Sequence, residues 1–173
     1  MEPRIEQHGQ IILAGVSFYG DPFAAHDPWR EENEIGRLWT RFMALLQEHG
    51  EALTALAANP GETVELHLPG PDTAASGVYE VFIGLAVTAV DNLPLPFVAK
   101  VLPPHAYAVF PLRGAAIAAD WHNLIYQDWL PGSGYEAAAT YGFQIYDARF
   151  KGLDRLAESE LDVYIPVRHA PHP

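Results

Sequence analysis

The sequence predicts an α+β fold: two β-α-β-β units related by a pseudo-two-fold, sharing one antiparallel sheet, with two main helices and a ligand cleft between the halves. Three observations predict it. Short stretches alternate apolar and polar residues, as half-buried strands do, and two longer stretches repeat apolar residues at helical spacing. One constant shift lays Ile35, Trp39, Phe42 and Met43 on Ile117, Trp121, Leu124 and Ile125, and also lays 79–85 on 161–167. Each half is too short to close a core by itself, so the two are expected to pack together.

The elements follow in chain order. IILAGVSFYG (11–20) reads as a strand ending at Gly20. DPWREENEIGRLWTRFMALLQEHG (27–50) reads as a helix. Asp27 and Pro28 suit its N-cap and first turn, Glu31 and Glu32 its positive end, and Gly50 its stop. Ile35, Trp39, Phe42, Met43 and Leu46 form its expected buried stripe. NPG at 59–61 breaks the chain, and ETVELHLPG and VYEVFIGLAV are strands joined through the turn-rich PGPDTAASG. In the second half FVAKVLPPHAYAVFPLRG is strand-like, with Pro103 and Pro104 marking a turn or an edge. GAAIAADWHNLIYQDWL reads as a helix stopping before Pro131, and TYGFQIYDARF and ELDVYIPV as the closing strands. The whole, 1–173, is expected to be one domain with halves at roughly 1–90 and 91–170.

Composition narrows the function classes. A chain of 173 residues, 49% hydrophobic and 18% charged, is globular and long enough for a substantial core. No apolar run is long enough to cross a bilayer. The start, MEPRIEQHGQ, carries acids where a secretory signal needs a basic, then apolar, stretch, so a cytoplasmic location is expected. Without cysteine there is no disulfide, thiolate nucleophile or thiolate metal site. Ten Lys+Arg against 22 Asp+Glu give a net charge of −12, which repels phosphate backbones and favours cationic ligands or basic partners, or serves solubility alone. The eight histidines show no HExxH spacing, and His169 and His172 lie in a proline-rich tail, so no metal is expected. No nucleophile elbow, Walker loop or dinucleotide fingerprint is present, and no cofactor is expected.

The polar parity of two strands draws the eye. In ESELDVYIPV, Leu161, Val163, Ile165 and Val167 alternate with Glu160, Asp162 and Tyr164. In the first half Glu80 and Phe82 stand at the matching places. This parity is either a solvated face or the wall of a shared cleft, where carboxylates beside aromatic rings attract a lipophilic cation. Trp39 and Trp121 sit in apolar stripes and read as core, whereas Trp129, before LPGSG, is placed to cover the cleft. Tyr107 and Tyr146 are further candidate liners, although a tyrosine is often structural.

The runs LPPHAYAVFPLRG, WHNLIYQDWLPGSGYE, FQIYDARF and SELDVYIPV, in that order and with VYEVFIG in the first half, resemble the GyrI-like effector-binding domain. The similarity spans nearly the whole chain and is most specific from Leu102 to Val167. It implies two repeated β-α-β-β units around a cleft for small, often hydrophobic or cationic, molecules. In multidomain members this module is fused to a helix-turn-helix transcription regulator. With its first strand so near the start, this sequence resembles the stand-alone members, which include an inhibitor of DNA gyrase and hydrolases of reactive small molecules. Drug-binding members often carry a pocket glutamate in a Phe-Glu-x-Tyr stretch, whereas FQIY here has Gln144. An amide hydrogen-bonds but does not pair a buried cation. Glu160, Asp162 or Glu80 is therefore expected to substitute, and Tyr164 matches the family's tyrosine in the final strand.

Two functions remain. The first is a binding module acting as a sensor, a sequestering protein or a regulator of a protein partner, without direct nucleic-acid or membrane binding. Its candidate ligand-binding residues are Tyr164, Gln144, Asp162, Glu160, Glu80, Phe82, Tyr107, Tyr146 and Trp129. The alternative is a small-molecule hydrolase, in which a cleft carboxylate of raised pKa activates water or protonates a leaving group. Binding leads because no residue set demands chemistry, and no catalytic residue is assigned.

Overall fold

The computed structural model describes residues 2–25 and 32–171. Among them nine strands make one sheet in which every pairing is antiparallel. In chain order they are β1 (Arg4–His8), β2 (Ile11–Gly20), β3 (Thr63–Pro69), β4 (Tyr79–Val87), β5 (Val98–Leu102), β6 (His105–Arg113), β7 (Tyr135–Ala137), β8 (Gly142–Tyr146) and β9 (Glu160–His169). The sheet runs β1-β6-β9-β8-β3-β4-β2-β5, with β7 on β9. Its centre is the β3–β8 pair, and the strands on either side repeat the same plan outward from it. The fold is the expected α+β type with a large antiparallel sheet.

Helix α1 (Glu34–Leu56) turns Leu38, Phe42 and Leu53 onto Val16, Val81, Ile83 and Leu85 of β2 and β4. Complete burial of a side chain such as Phe42 or Leu53 contributes about 1.5–3 kcal/mol. In the second half Ile117 and Ile125 pack on Phe110, Leu161, Val163 and Ile165. Both packings lie on one side of the sheet. Glu65 pairs with Ile83 on one hand and with Gln144 on the other, and Gln144 with Val163, so these residues share a face. The opposite face carries a third apolar cluster that includes Leu13, Leu66, Phe82, Tyr107, Val109, Phe143 and Tyr164.

Chain connections explain why that opposite face is buried. Only Gly9 and Gln10 separate β1 from β2, and only Pro103 and Pro104 separate β5 from β6. Yet β1 pairs with β6 and β5 with β2, at the two ends of the sheet. The sheet therefore curls and brings its outer strands towards each other without pairing them, and the face inside the curl becomes a second core. Between β2 and β4 the backbones approach so closely that a Cβ on Gly84 would stand 2.2 Å from the Ala14 carbonyl oxygen. Glycine is required there by space.

Several elements differ from the sequence reading. Asp27, Pro28 and Glu31 lie outside the described residues, and the N-cap is Asn33, whose Oδ1 accepts from the Gly36 amide at 2.9 Å. The helix does not stop at Gly50. Its backbone departs from helical angles at His49 and the helix then resumes to Leu56, because Leu53 still has a core to enter. Met43 is 51% exposed, outside the buried stripe. The expected second helix is a broken one: a 3-10 turn at Gly114–Ala116, α3 (Trp121–Asn123), a π-turn segment at Leu124–Trp129 and a 3-10 turn at Leu130–Gly132. A single turn, α2 (Thr73–Ser76), interrupts the first-half loop. Strands β1 and β7 have no counterpart in the sequence reading.

Candidate functional site

At the centre of the helix-covered face Glu65 of β3 stands directly across from Gln144 of β8. Both are buried, at 5% and 4% exposure. The Glu65 Oε2 accepts from the Trp39 Nε1 at 2.6 Å, and its Oε1 lies 2.9 Å from the His67 Nε2. Because a carboxylate only accepts, His67 carries its proton on Nε2 here. The Tyr146 hydroxyl donates to the Gln144 Oε1 at 2.8 Å, and its ring meets the Trp39 indole edge-on at 5.1 Å. Trp39 thus reaches from α1 across the junction of the two halves.

Beside this pair a cavity of about 220 Å³ opens between β3, β8, β9 and the broken helix. Tyr79, Trp121 and Tyr126 give it aromatic walls, and His67, His122 and Gln144 supply its polar groups. The Tyr79 and Tyr126 hydroxyls have no hydrogen-bond partner among the described residues. Burial pushes the Tyr79 hydroxyl well above its ordinary value, and the charges of Glu65 and Asp21 push it further. Burial likewise raises Tyr126. His122, although exposed overall, is held below the usual histidine range by desolvation first; nearby His67 adds to this and Asp120 opposes it. The cavity is an aromatic recess with an acid behind its wall.

The sequence-predicted residues do not share one cleft. Gln144 and Tyr146 belong to the helix-covered face, whereas Tyr164 pairs with Phe143 on the opposite face, the rings stacked 4.8 Å apart. Strand parity forces this, since neighbouring residues of a strand point to opposite sides. Phe82 and Tyr107 are fully buried in the cluster inside the curl, where the Tyr107 hydroxyl meets that of Tyr141 at 3.0 Å. Burial raises Tyr107 far above its usual value, and the Tyr141 hydrogen bond adds to this. Trp129 does not cover the aromatic recess; it packs edge-on against Phe110 at 5.1 Å and stacks near Tyr135.

The three expected substitute acids are occupied by basic residues. Asp162 is 4% exposed and bonded to the Arg4 Nη2 at 3.0 Å and the Arg149 Nη2 at 2.9 Å. Burial opposes its charge, but hydrogen bonds from Arg4 and Arg149 outweigh burial and hold its carboxyl below the usual range. Glu160 pairs with Arg149 at 2.7 Å and Arg113 at 2.6 Å, and Glu80 with Lys100 at 2.7 Å. None of the three lines the aromatic recess. Instead the acid near the recess is Glu65, which the sequence reading did not single out. Its signal was present: in TVELHLP, Glu65 and His67 alternate with Val64, Leu66 and Leu68, the same pattern noted for Glu160 and Asp162.

Known proteins support the fold and the family. The chain is 28% identical over 169 residues to the transcriptional regulator BrlR of Pseudomonas aeruginosa, covering 96% of this chain and 56% of that relative. It therefore spans little more than half of the regulator's length. Among solved structures it is similar to SAV2435 bound to tetraphenylphosphonium, with a TM-score of 0.63, 15% identity, and coverage of 97% of this chain and 94% of that one. It is also similar to EcmrR in a DNA complex, with a TM-score of 0.66, 12% identity, and coverage of 98% and 58%. At these identities the structures speak for the fold alone. The family model for the GyrI-like small-molecule-binding domain matches residues 1–168, and the chain belongs to that family.

Proposed function

We propose that this chain is a sensor or sequestering module for lipophilic organic cations, held in the aromatic recess at the junction of its halves. One contrast carries the reading. Among the described residues two acidic side chains are buried, Asp162 and Glu65. Asp162 is matched by two arginines, while among the described residues Glu65 has an indole N–H and a histidine. Among the described residues no arginine or lysine meets Glu65, which stands behind walls of tyrosine and tryptophan. A cation there gains both from the Glu65 carboxylate and from the ring quadrupoles. The tetraphenylphosphonium bound to SAV2435 is a molecule of this class.

Ligand occupancy would be signalled to a partner, as suits kinship with a transcriptional regulator. The hydrolase reading has less support: Asp162, Glu160 and Glu80 are tied to arginines or a lysine, and none of them lines the recess where a guest would be held. Calorimetry with tetraphenylphosphonium and the neutral triphenylphosphine oxide tests the proposal. Glu65→Gln, which keeps an acceptor for Trp39, is expected to weaken the cation at least about tenfold and the neutral molecule little. Equal losses for both, or none, would refute Glu65 as the source of selectivity.

A further inference from the structure

On the other face of β3 and β8 a second cavity, of about 190 Å³, opens inside the curl of the sheet. Leu13, Val64, Leu102, Phe143, Ile145 and Tyr164 form its walls. Phe143 is the one residue it shares with the aromatic recess, so the two cavities are separate sites on opposite sides of one sheet. An apolar void of about 150 Å³ stays dry and admits benzene, so this one has room for a somewhat larger flat ring. The Phe143 and Tyr164 rings, only 9° from parallel, present planar surface to such a guest. Beside these apolar walls His8, Gln10, Asn59 and Glu62 also line the cavity, so a guest meets both ring surface and polar groups.

The rim adds a polar requirement. Glu62 lines the cavity, is half-buried, and has no hydrogen bond or ion pair through its carboxylate among the described residues. The acids on the sheet strands, Glu6, Glu65, Glu80, Glu136, Glu160 and Asp162, all have such partners. A free carboxylate accepts and never donates, so it selects a guest with an N–H or O–H. We propose that this cavity binds a planar aromatic molecule of indole size, its ring against Phe143 and Tyr164 and its N–H donated to Glu62. This is a different ligand class from the cation of the aromatic recess, and the inference does not depend on that reading.

Heteronuclear NMR of the full chain, titrated with indole and with indene (the same shape without the N–H), tests it. Saturable indole binding is expected, with intermolecular NOEs to methyls of Leu13, Val64, Leu102 and Ile145, and weaker binding of indene. Ala86→Leu, which adds bulk to the cavity lining, is expected to weaken indole at least about tenfold. Glu62→Ala should bring indole down to the affinity of indene and leave indene unchanged. If Ala86→Leu fails to fold, the NOEs in the parent protein decide alone. Absence of saturable binding, NOEs to Val163 and Tyr79 instead, or equal affinity for indole and indene would overturn the proposal.

Discussion

Replacing Gln144 by glutamate places a second carboxyl directly across β3–β8 from that of Glu65, both in buried positions. Side chains at facing positions of an antiparallel pair stand about 5 Å apart. Two like charges at that distance repel by about 3 kcal/mol at an effective dielectric of about 20. The pair then titrates jointly, and its second proton is held about two pH units above the ordinary glutamate value near 4.3. The sign follows from proton counting. Between pH of about 4.3 and 6.5 the folded variant binds more protons than the unfolded chain, so its stability falls as pH rises. At pH 4 the variant is expected to melt close to the parent, and at pH 8 about 6–12 °C lower. The Tyr146 hydroxyl still donates at position 144 and trims this figure. Tetraphenylphosphonium should restore more stability to the variant than to the parent, because it meets two carboxylates instead of one. Thermal melts at both pH values, with and without the cation, read all of this. A melting difference that does not change with pH would mean that the two side chains do not share the electrostatic environment described.

Three further outcomes are expected. Asp162→Asn should cost about 1–2 kcal/mol at pH 7, discounted for the exposed arginines, and should remove part of the parent's acid sensitivity. Because the folded carboxyl is held low, its contribution is present above pH of about 4 and is lost below it, so acid titrations of parent and variant should converge there. Trp39→Phe keeps a ring against Tyr146 but strips Glu65 of its indole donor, and should cost about 2 kcal/mol by urea denaturation; an unchanged midpoint would contradict that hydrogen bond. Gly84→Ala pushes a methyl into the Ala14 carbonyl and should cost at least about 2 kcal/mol; parent-like stability would show that β2 and β4 have slack there.

Strands whose faces differ in polarity were legible in the sequence: β2, β3, β4 and β9 lie where the alternation puts them. Strand β1 was not, because RIEQH puts Arg4, Glu6 and His8, rather than apolar residues, on the parity it shares with Val109 and Tyr107. The second helix reads as continuous in sequence, yet its backbone changes pitch at Leu124 and again at Leu130. Within the site, the departure at Gln144 was visible, but its neighbouring acid was not. Glu65 lies about eighty positions away along the chain and becomes its neighbour only through the β3–β8 register. The same register separates Tyr164 from Gln144, since parity within one strand cannot say which faces of two strands coincide.

The exchange of outer strands also bears on how the chain is made. Arg4 leaves the ribosome about a hundred residues before its strand partner Val109, and Ile11 likewise waits for Leu102. The first half, on emerging, has β2, β3 and β4 available but lacks both β5 and the β8 edge that closes β3. A nascent chain of that length therefore exposes strand edges on both sides, the condition in which chaperone capture and intermolecular pairing compete with folding. Such distant pairings slow folding at a given stability. Folding is accordingly expected to complete only after β9 has cleared the exit tunnel, as one late step for the whole sheet.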